Sequence, residues 1–239
     1  MSPTEDSNKL QFKGANPGAV QYGNFINYYQ FHPPDDRVKL LPKNIWITGT
    51  ACIALDIGCN AGNLTLALKE FLMENVSKDT SILGIDIDPA LIKRAEELIS
   101  KNTSFKCLDI MDEINRKLLI SNYLTSFNVN KFSILFCFST TMWIHLNHGD
   151  VGLKSFLQYI CSIAEIVVVE PQPWKCYKTA VKRMKGTNFT FPEFSKLKFR
   201  ESIESDIENI LIKDCCMLKI NESERTKWER KLLIFKHKI

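Results

Sequence analysis

No stretch of this chain approaches the ~18 consecutive apolar residues that a bilayer-spanning helix needs, and the opening Met1-Ser-Pro-Thr-Glu-Asp-Ser7 lacks the apolar segment of a secretion signal. A soluble, cytoplasmic protein with no membrane partner is expected. Eight cysteines are present, but none forms a C-x-x-C pair. Cys52, Cys59, Cys107 and Cys137 fall in or beside expected buried strands, so they read as reduced core residues, and no metal site is expected. There is no internal repeat. The G-x-G-x-x-G motif of dinucleotide-binding turns is missing too: its second glycine would stand where Asn60 does, so no pyrophosphate is expected there. A net charge of +4 permits an anionic partner without requiring one.

What is present begins with size: 239 residues, 45% of them hydrophobic, can bury one sizeable core. Residues 1–20 are polar, with Pro3 and Pro17, and are expected to be a disordered tail ahead of a single domain over 21–239. Residues 21–42 are aromatic, carry the tandem Pro33-Pro34, and fit neither helix nor strand period. They read either as a packing strap or as a lid whose aromatics and Arg37 close over a pocket. From Ala51 to Leu68 a short apolar run bends through Gly58-Cys-Asn-Ala-Gly62 into residues at helical spacing, a strand, turn and helix start. Glycines let such a turn approach a ligand closely, and the amides at the helix start attract polar or anionic groups.

The order Asp56-x-Gly58-x-x-x-Gly62, followed one strand later by Gly84-Ile-Asp86-Ile-Asp88-Pro89, resembles the class I S-adenosylmethionine-dependent methyltransferases. The resemblance implies an α/β, Rossmann-like fold: a mostly parallel seven-stranded sheet, helices on both faces, and an antiparallel C-terminal hairpin. The apolar runs place strands at 81–86, 103–108, 132–138 and 166–170, and closing strands at 216–220 and 231–235. Helices are expected from Asp88-Pro89, over about 112–127, after an Asp150 cap, and over 204–213. Residues 139–150 and 171–177 are expected to be loops at the carboxyl edge of the sheet, where open α/β folds place ligands. Lys175, Lys178, Lys182 and Lys185, with Arg183, then put positive charge on one helical face.

The nucleophile decides how much acid-base machinery methyl transfer needs. Amine methylation in this fold uses an Asn/Asp-Pro-Pro-Tyr/Phe loop, which is absent after the fourth strand, and no acid or lysine stands there to activate a ribose hydroxyl. A phosphate oxygen is already an anion and needs only cations and donors to hold it.

Tyr22-Gly-Asn-Phe25, Phe31-His-Pro-Pro34, Leu55-Asp-Ile-Gly-Cys-Asn-Ala-Gly62, Thr141-Met-Trp-Ile-His-Leu-Asn-His-Gly-Asp150 and Glu170-Pro-Gln-Pro-Trp-Lys-Cys-Tyr177 together resemble the bicoid-interacting family of RNA methyltransferases. Within it they are most similar to the branch that methylates the 5′-monophosphate of microRNA precursors and histidine transfer RNA. The resemblance implies S-adenosyl-L-methionine as cofactor and the 5′ end of a small RNA as partner, with no DNA, and a monomer. Cofactor contacts implied by position are Tyr22, Arg37, Asp56, Gly58, Asn60, Asp86 at the ribose, Asp109 and Ile110 at the adenine, and Phe138 through its backbone. Phosphate positioning falls to His145, Asn147 and Lys175, and RNA contacts to His32, Trp143, His148, Gln172, Trp174, Lys178 and Lys182. Packing is an equal reading for Trp143 and Trp174. The triphosphate-capping branch carries lysine where Met142 stands, which suits a monophosphate end. A 5′-triphosphate capping enzyme of small nuclear RNA, or an RNA-binding relative without turnover, are the alternatives.

Overall fold

Strands flanked on both faces by helices are buried along their length and mostly apolar, and three of these follow that rule: β1 (Cys52–Ile57) and β2 (Thr80–Asp86) are buried at every position, and β4 (Phe132–Phe138) at all but Ser133. The computed structural model describes residues 20–46, 51–98, 100–185, 187 and 189–238, so the tail expected over 1–20 lies, Val20 apart, outside the described residues. Among the described residues seven strands form one sheet in the order β3-β2-β1-β4-β5-β7-β6. The first five, including β3 (Thr103–Cys107) and β5 (Ala164–Glu170), pair in parallel. β6 (Met217–Glu222) and β7 (Leu233–His237) finish the sheet antiparallel. This is the expected Rossmann-like sheet.

Alternate residues of each central strand feed different layers. Ile53, Leu55 and Leu135 pack on one side with α5 (Glu113–Ser126), α6 (Thr141–Ile163) and α7 (Trp174–Met184). Cys52, Ala54 and Phe136 pack on the other with α3 (Asn63–Asn75) and Trp46. Asp88 caps α4 (Pro89–Glu96) through the Ala90 amide, and Asp112 caps α5. A short α8 (Ile203–Asn209), continued by a π-helical turn over Ile210–Asp214, precedes the hairpin.

Five expectations need correction, the first being the loop over 171–177, within which α7 already starts at Trp174. The strap contains two short helices, α1 (Tyr28–Phe31) and α2 (Pro34–Val38). Residues 141–150 are not a loop: α6 starts at Thr141 and runs to Ile163, broken only at Gly149 (φ 68°, ψ −173°). Asp150 does not cap the second half; its carboxylate accepts the backbone N–H groups of Lys198 and Phe199 and pairs with His145. Cys107, expected in the core, is exposed. Among the described residues no helix is long and apolar enough to cross a membrane.

Candidate active site

Neighbouring strands β1 and β4 leave the sheet in opposite directions along the strand order, so their carboxyl ends open a crevice between the following segments. The cavity there spans about 800 Å³, open mouth included. The segment after β1 supplies Gly58 and Asn60; the end of β2 supplies Asp86 and Ile87; the loop after β3 supplies Leu108, Asp109, Ile110 and Met111. The end of β4 and the amino end of α6 supply Phe138, Ser139, Thr140, Trp143, Ile144 and His148, and the strap closes it with Tyr22, Gly23, Asn24 and Tyr28.

Two glycines are required by close approach. Gly58 has φ 77°, and a Cβ there would overlap the Thr140 hydroxyl; Gly23 has φ 75° and lies flat on the Trp143 indole. Further along the strap, Asn24 donates to the Asp88 carboxylate at 2.7 Å and the Asn60 amide donates to the Phe25 carbonyl at 2.9 Å. Gln21 and Asn147 exchange hydrogen bonds, 3.1 Å to the Asn147 oxygen and 3.0 Å back to the Gln21 carbonyl.

Asp86 accepts one backbone N–H on each oxygen, from Asn60 at 2.9 Å and Asp88 at 3.0 Å, so each oxygen keeps capacity toward the cavity. Burial pushes its carboxyl up to about 6, opposed by those two N–H donors. An acidic acceptor at the end of the second strand, backbone-lined walls and apolar surfaces from Leu108 and Ile110 suit a nucleoside bearing an amino-acid end.

Of the expected cofactor contacts, Tyr22, Gly58, Asn60, Asp86, Asp109, Ile110 and Phe138 line the cavity. Asp56 does not. It is 1% exposed, beneath the glycine turn, and accepts only the Thr65 hydroxyl at 2.6 Å. Burial pushes its carboxyl up to about 7. The sign follows from linkage: a carboxyl raised above its unfolded value stabilises the fold below pH ~4, and that advantage is lost as pH rises through ~7. Melting temperatures of the ligand-free protein should therefore fall between pH ~4 and ~7, and Asp56→Asn should flatten that slope; an unchanged slope would show that Asp56 stays charged.

Arg37 is also withdrawn from the cavity, fully buried, with Nε and Nη2 3.1–3.2 Å from the Glu170 carboxylate. Its Nη2 donates to the Tyr28 hydroxyl at 2.7 Å and the Ser139 hydroxyl at 3.1 Å, so it reaches the cavity wall only through them. Burial alone would raise the Glu170 carboxyl; Arg37 and Arg230 outweigh it and hold it low. Ser139 and Trp228 complete the Glu170 shell, the latter at 3.2 Å.

On the expected acceptor side, only Trp143 and His148 line the cavity. His145 is fully buried, with one ring nitrogen 3.1 Å from the Tyr177 hydroxyl and the other 2.8 Å from Asp150, leaving neither for a phosphate. Burial lowers its pKa, against the pull of Asp150. Asn147 is committed to Gln21 and the Trp143 carbonyl, and Lys175 pairs with Glu229. Gln172 is buried and ties the end of β4 to α6, donating to the Ser139 carbonyl and accepting from the Met142 amide at 3.2 Å. Trp174 is half-buried, stacks on Phe194 at 5.1 Å and does not line the cavity. His32 stacks on Tyr28 at 4.7 Å, and burial together with Arg230 and Arg37 lowers its pKa to about 4, so it carries no charge for a phosphate. Met142 is 4% exposed in the core, so its replacement of lysine does not change the cavity wall directly. Lys178 and Lys182 are exposed on α7, with no carboxylate partner among the described residues. Tyr28, Ser139, Thr140 and Arg230 were not singled out by their residue types, although Tyr28 belongs to the aromatic strap and Ser139 and Thr140 stand directly after β4 where ligands gather.

A reversal point between β1 and β4, a glycine turn over it and an acidic residue closing β2 define a Rossmann-like methyltransferase. In fold the chain is similar to the N-methyltransferase NodS from Bradyrhizobium japonicum WM9 (TM-score 0.54, 12% identity, 89% of this chain and 98% of that one). The family model of Bicoid-interacting protein 3 (Bin3) matches residues 132–237. Over 93% of its length the chain is 40% identical to the RNA 5′-monophosphate methyltransferase of Homo sapiens, covering 82% of that protein. It is 37% identical over 92% of its length to the pre-miRNA 5′-monophosphate methyltransferase of Danio rerio, covering 94%. The chain belongs to the bicoid-interacting methyltransferase family.

Proposed function

We propose that this protein transfers a methyl group from S-adenosylmethionine to the 5′-monophosphate of a small RNA, with microRNA precursors, which the name of the Danio rerio relative carries, and histidine transfer RNA, which the motif resemblance implies, as substrates. We further propose that it works as a monomer in the cytoplasm, on RNA and not DNA. The observation that carries the phosphate reading is the cavity wall beyond β4. It offers Trp143, His148 and the amino end of α6, while the Ser139 and Thr140 hydroxyls are held by Glu170 and by the Ile57 and Phe138 carbonyls; no carboxylate or lysine stands on it to remove a proton, and His148 is the one basic side chain there among the described residues. An acceptor that is already anionic needs no such group, and a helix amino end favours it.

When bound, the cofactor supplies an electrophilic methyl on a sulfonium. In this reading Asp86 accepts the ribose hydroxyls, Asp109 and Ile110 flank the adenine, and the Phe138 backbone and Asn60 complete the nucleoside side. The strap, docked on Trp143 and Asn147, excludes water and holds both reactants in line. Trp143 and His148 face the RNA end.

Matched RNAs carrying 5′-monophosphate, 5′-triphosphate or 5′-hydroxyl, incubated with methyl-labelled cofactor, test this directly. Label on the monophosphate RNA alone is expected; equal label on the hydroxyl RNA would remove the phosphate as acceptor. The exposed Lys178 and Lys182 are the RNA-backbone contacts in this scheme. Replacing both by glutamine should make the slope of log K against log salt shallower by about 1–2, roughly 0.7–0.9 for each phosphate contact. S-adenosylhomocysteine binding should not change, and an unaltered salt slope would place the RNA elsewhere.

A further inference from the structure

The wall of the cavity at Tyr28 is backed by more positive than negative charge. Behind it lie two guanidiniums, Arg37 (0% exposed) and Arg230 (9% exposed), and one carboxylate, Glu170 (0%). Arg37 satisfies Glu170 with three contacts at 3.1–3.2 Å, whereas Arg230 stands 4.0 Å from it. Arg230 instead donates through Nη1 to the Ser139 hydroxyl at 2.6 Å and the Tyr28 hydroxyl at 3.4 Å; its Nη2 has only the Cys176 sulfur at 3.9 Å, and its buried Nε has no partner. Asp56 on β1, which feels the Arg37 charge, is raised to about 7 by burial, and so compensates only in part. His32, stacked on Tyr28, is held neutral partly by these same arginines. A buried charge left this short of partners calls for a counter-charge.

The hydroxyls decide where that counter-charge can act. The Ser139 hydroxyl donates to Glu170 while accepting from both arginines, so it has no proton to give. The Tyr28 oxygen accepts from both guanidiniums, and its own proton remains to be donated. Tyr28 lines the cavity. Resting on the methyltransferase reading above, we propose that Arg230 is a positioning residue: with Arg37 it turns the Tyr28 hydroxyl into a donor for an anionic oxygen of the bound ligand. That oxygen belongs either to the carboxylate of the cofactor's amino-acid end or to the acceptor phosphate. Arg230 comes from the turn before β7, which a bidentate Arg225–Glu204 pair at 2.8 Å holds in place.

The test uses Arg230→Gln, Arg230→Lys and Tyr28→Phe, with calorimetry of S-adenosylhomocysteine and of 5′-methylthioadenosine, which lacks the carboxylate. The binding preference for 5′-phosphorylated over 5′-hydroxyl RNA is measured alongside. If the oxygen is the cofactor's, Arg230→Gln and Tyr28→Phe lose about tenfold on S-adenosylhomocysteine and nothing on methylthioadenosine, the scale of one charge-assisted hydrogen bond. If it is the acceptor's, they lose about tenfold of the 5′-phosphate preference with S-adenosylhomocysteine unchanged. In both cases Arg230→Lys recovers part of the loss. Equal weakening of methylthioadenosine, or no change in any ligand, overturns the proposal. Should Arg230→Gln fail to fold, Tyr28→Phe decides, since it removes one oxygen. A wild-type protein that binds no S-adenosylhomocysteine would instead sink the methyltransferase reading itself.

Discussion

With Asp86 replaced by alanine, S-adenosylhomocysteine binding is expected to weaken at least about a hundredfold while the protein stays folded. Two charge-assisted hydrogen bonds to a ribose, at roughly 1.5–3 kcal/mol each, set that scale. The fold tolerates the change because opposing effects meet at this residue. Its carboxylate anchors the amides of Asn60 and Asp88, which alanine gives up, yet burial already disfavours its charge, as its pKa near 6 shows. Removing it therefore costs a ligand far more than it costs the empty protein. Titration calorimetry with melting curves measures both, and a loss below about threefold would take Asp86 away from the ribose.

Glu170→Ala should be the most destabilising single change in the described core, by about 3–5 kcal/mol. It leaves the guanidiniums of Arg37 and Arg230 buried with no carboxylate between them, and strips acceptors from Ser139 and Trp228. At roughly 2–4 °C per kcal/mol for a chain of this size, the melting temperature falls by about 6–20 °C. Glu170→Gln keeps the shape and one acceptor and should fall less. A drop under about 2 °C for alanine would mean that water or another carboxyl reaches the arginines on relaxation.

Much of the fold was legible because its central strands are buried on both faces, which keeps their runs mostly apolar and leaves carboxylates such as Asp86 and Glu170 at the strand ends. β4 coincides with its apolar stretch at both ends, and Asp88-Pro89 and Asp112 begin helices as their chemistry requires. The cofactor half of the cavity was legible for the same reason, since Gly58, Asn60, Asp86 and Ile110 sit at strand ends whose positions the pattern fixes. The acceptor half was not. His145, Asn147 and Gln172 looked like donors awaiting a ligand because their residue types are polar, but each is satisfied inside the protein. The same polarity hid the first half of α6, whose histidine and asparagine face partners instead of solvent. Arg230 had no local signature at all: its partners Ser139 and Tyr28 lie 91 and 202 residues away along the chain.

That separation carries a consequence for how the protein is made. The cavity is walled by some of the first described residues, while the arginine that braces this wall belongs to nearly the last. A ribosome-bound chain can pair β1 to β5 and shape the glycine turn, but Tyr28 and Ser139 stay unbraced until the final hairpin emerges. Chains cut short before residue 230 would carry the five parallel strands with the Tyr28 and Ser139 hydroxyls unbraced, so the last step of synthesis completes this wall of the site.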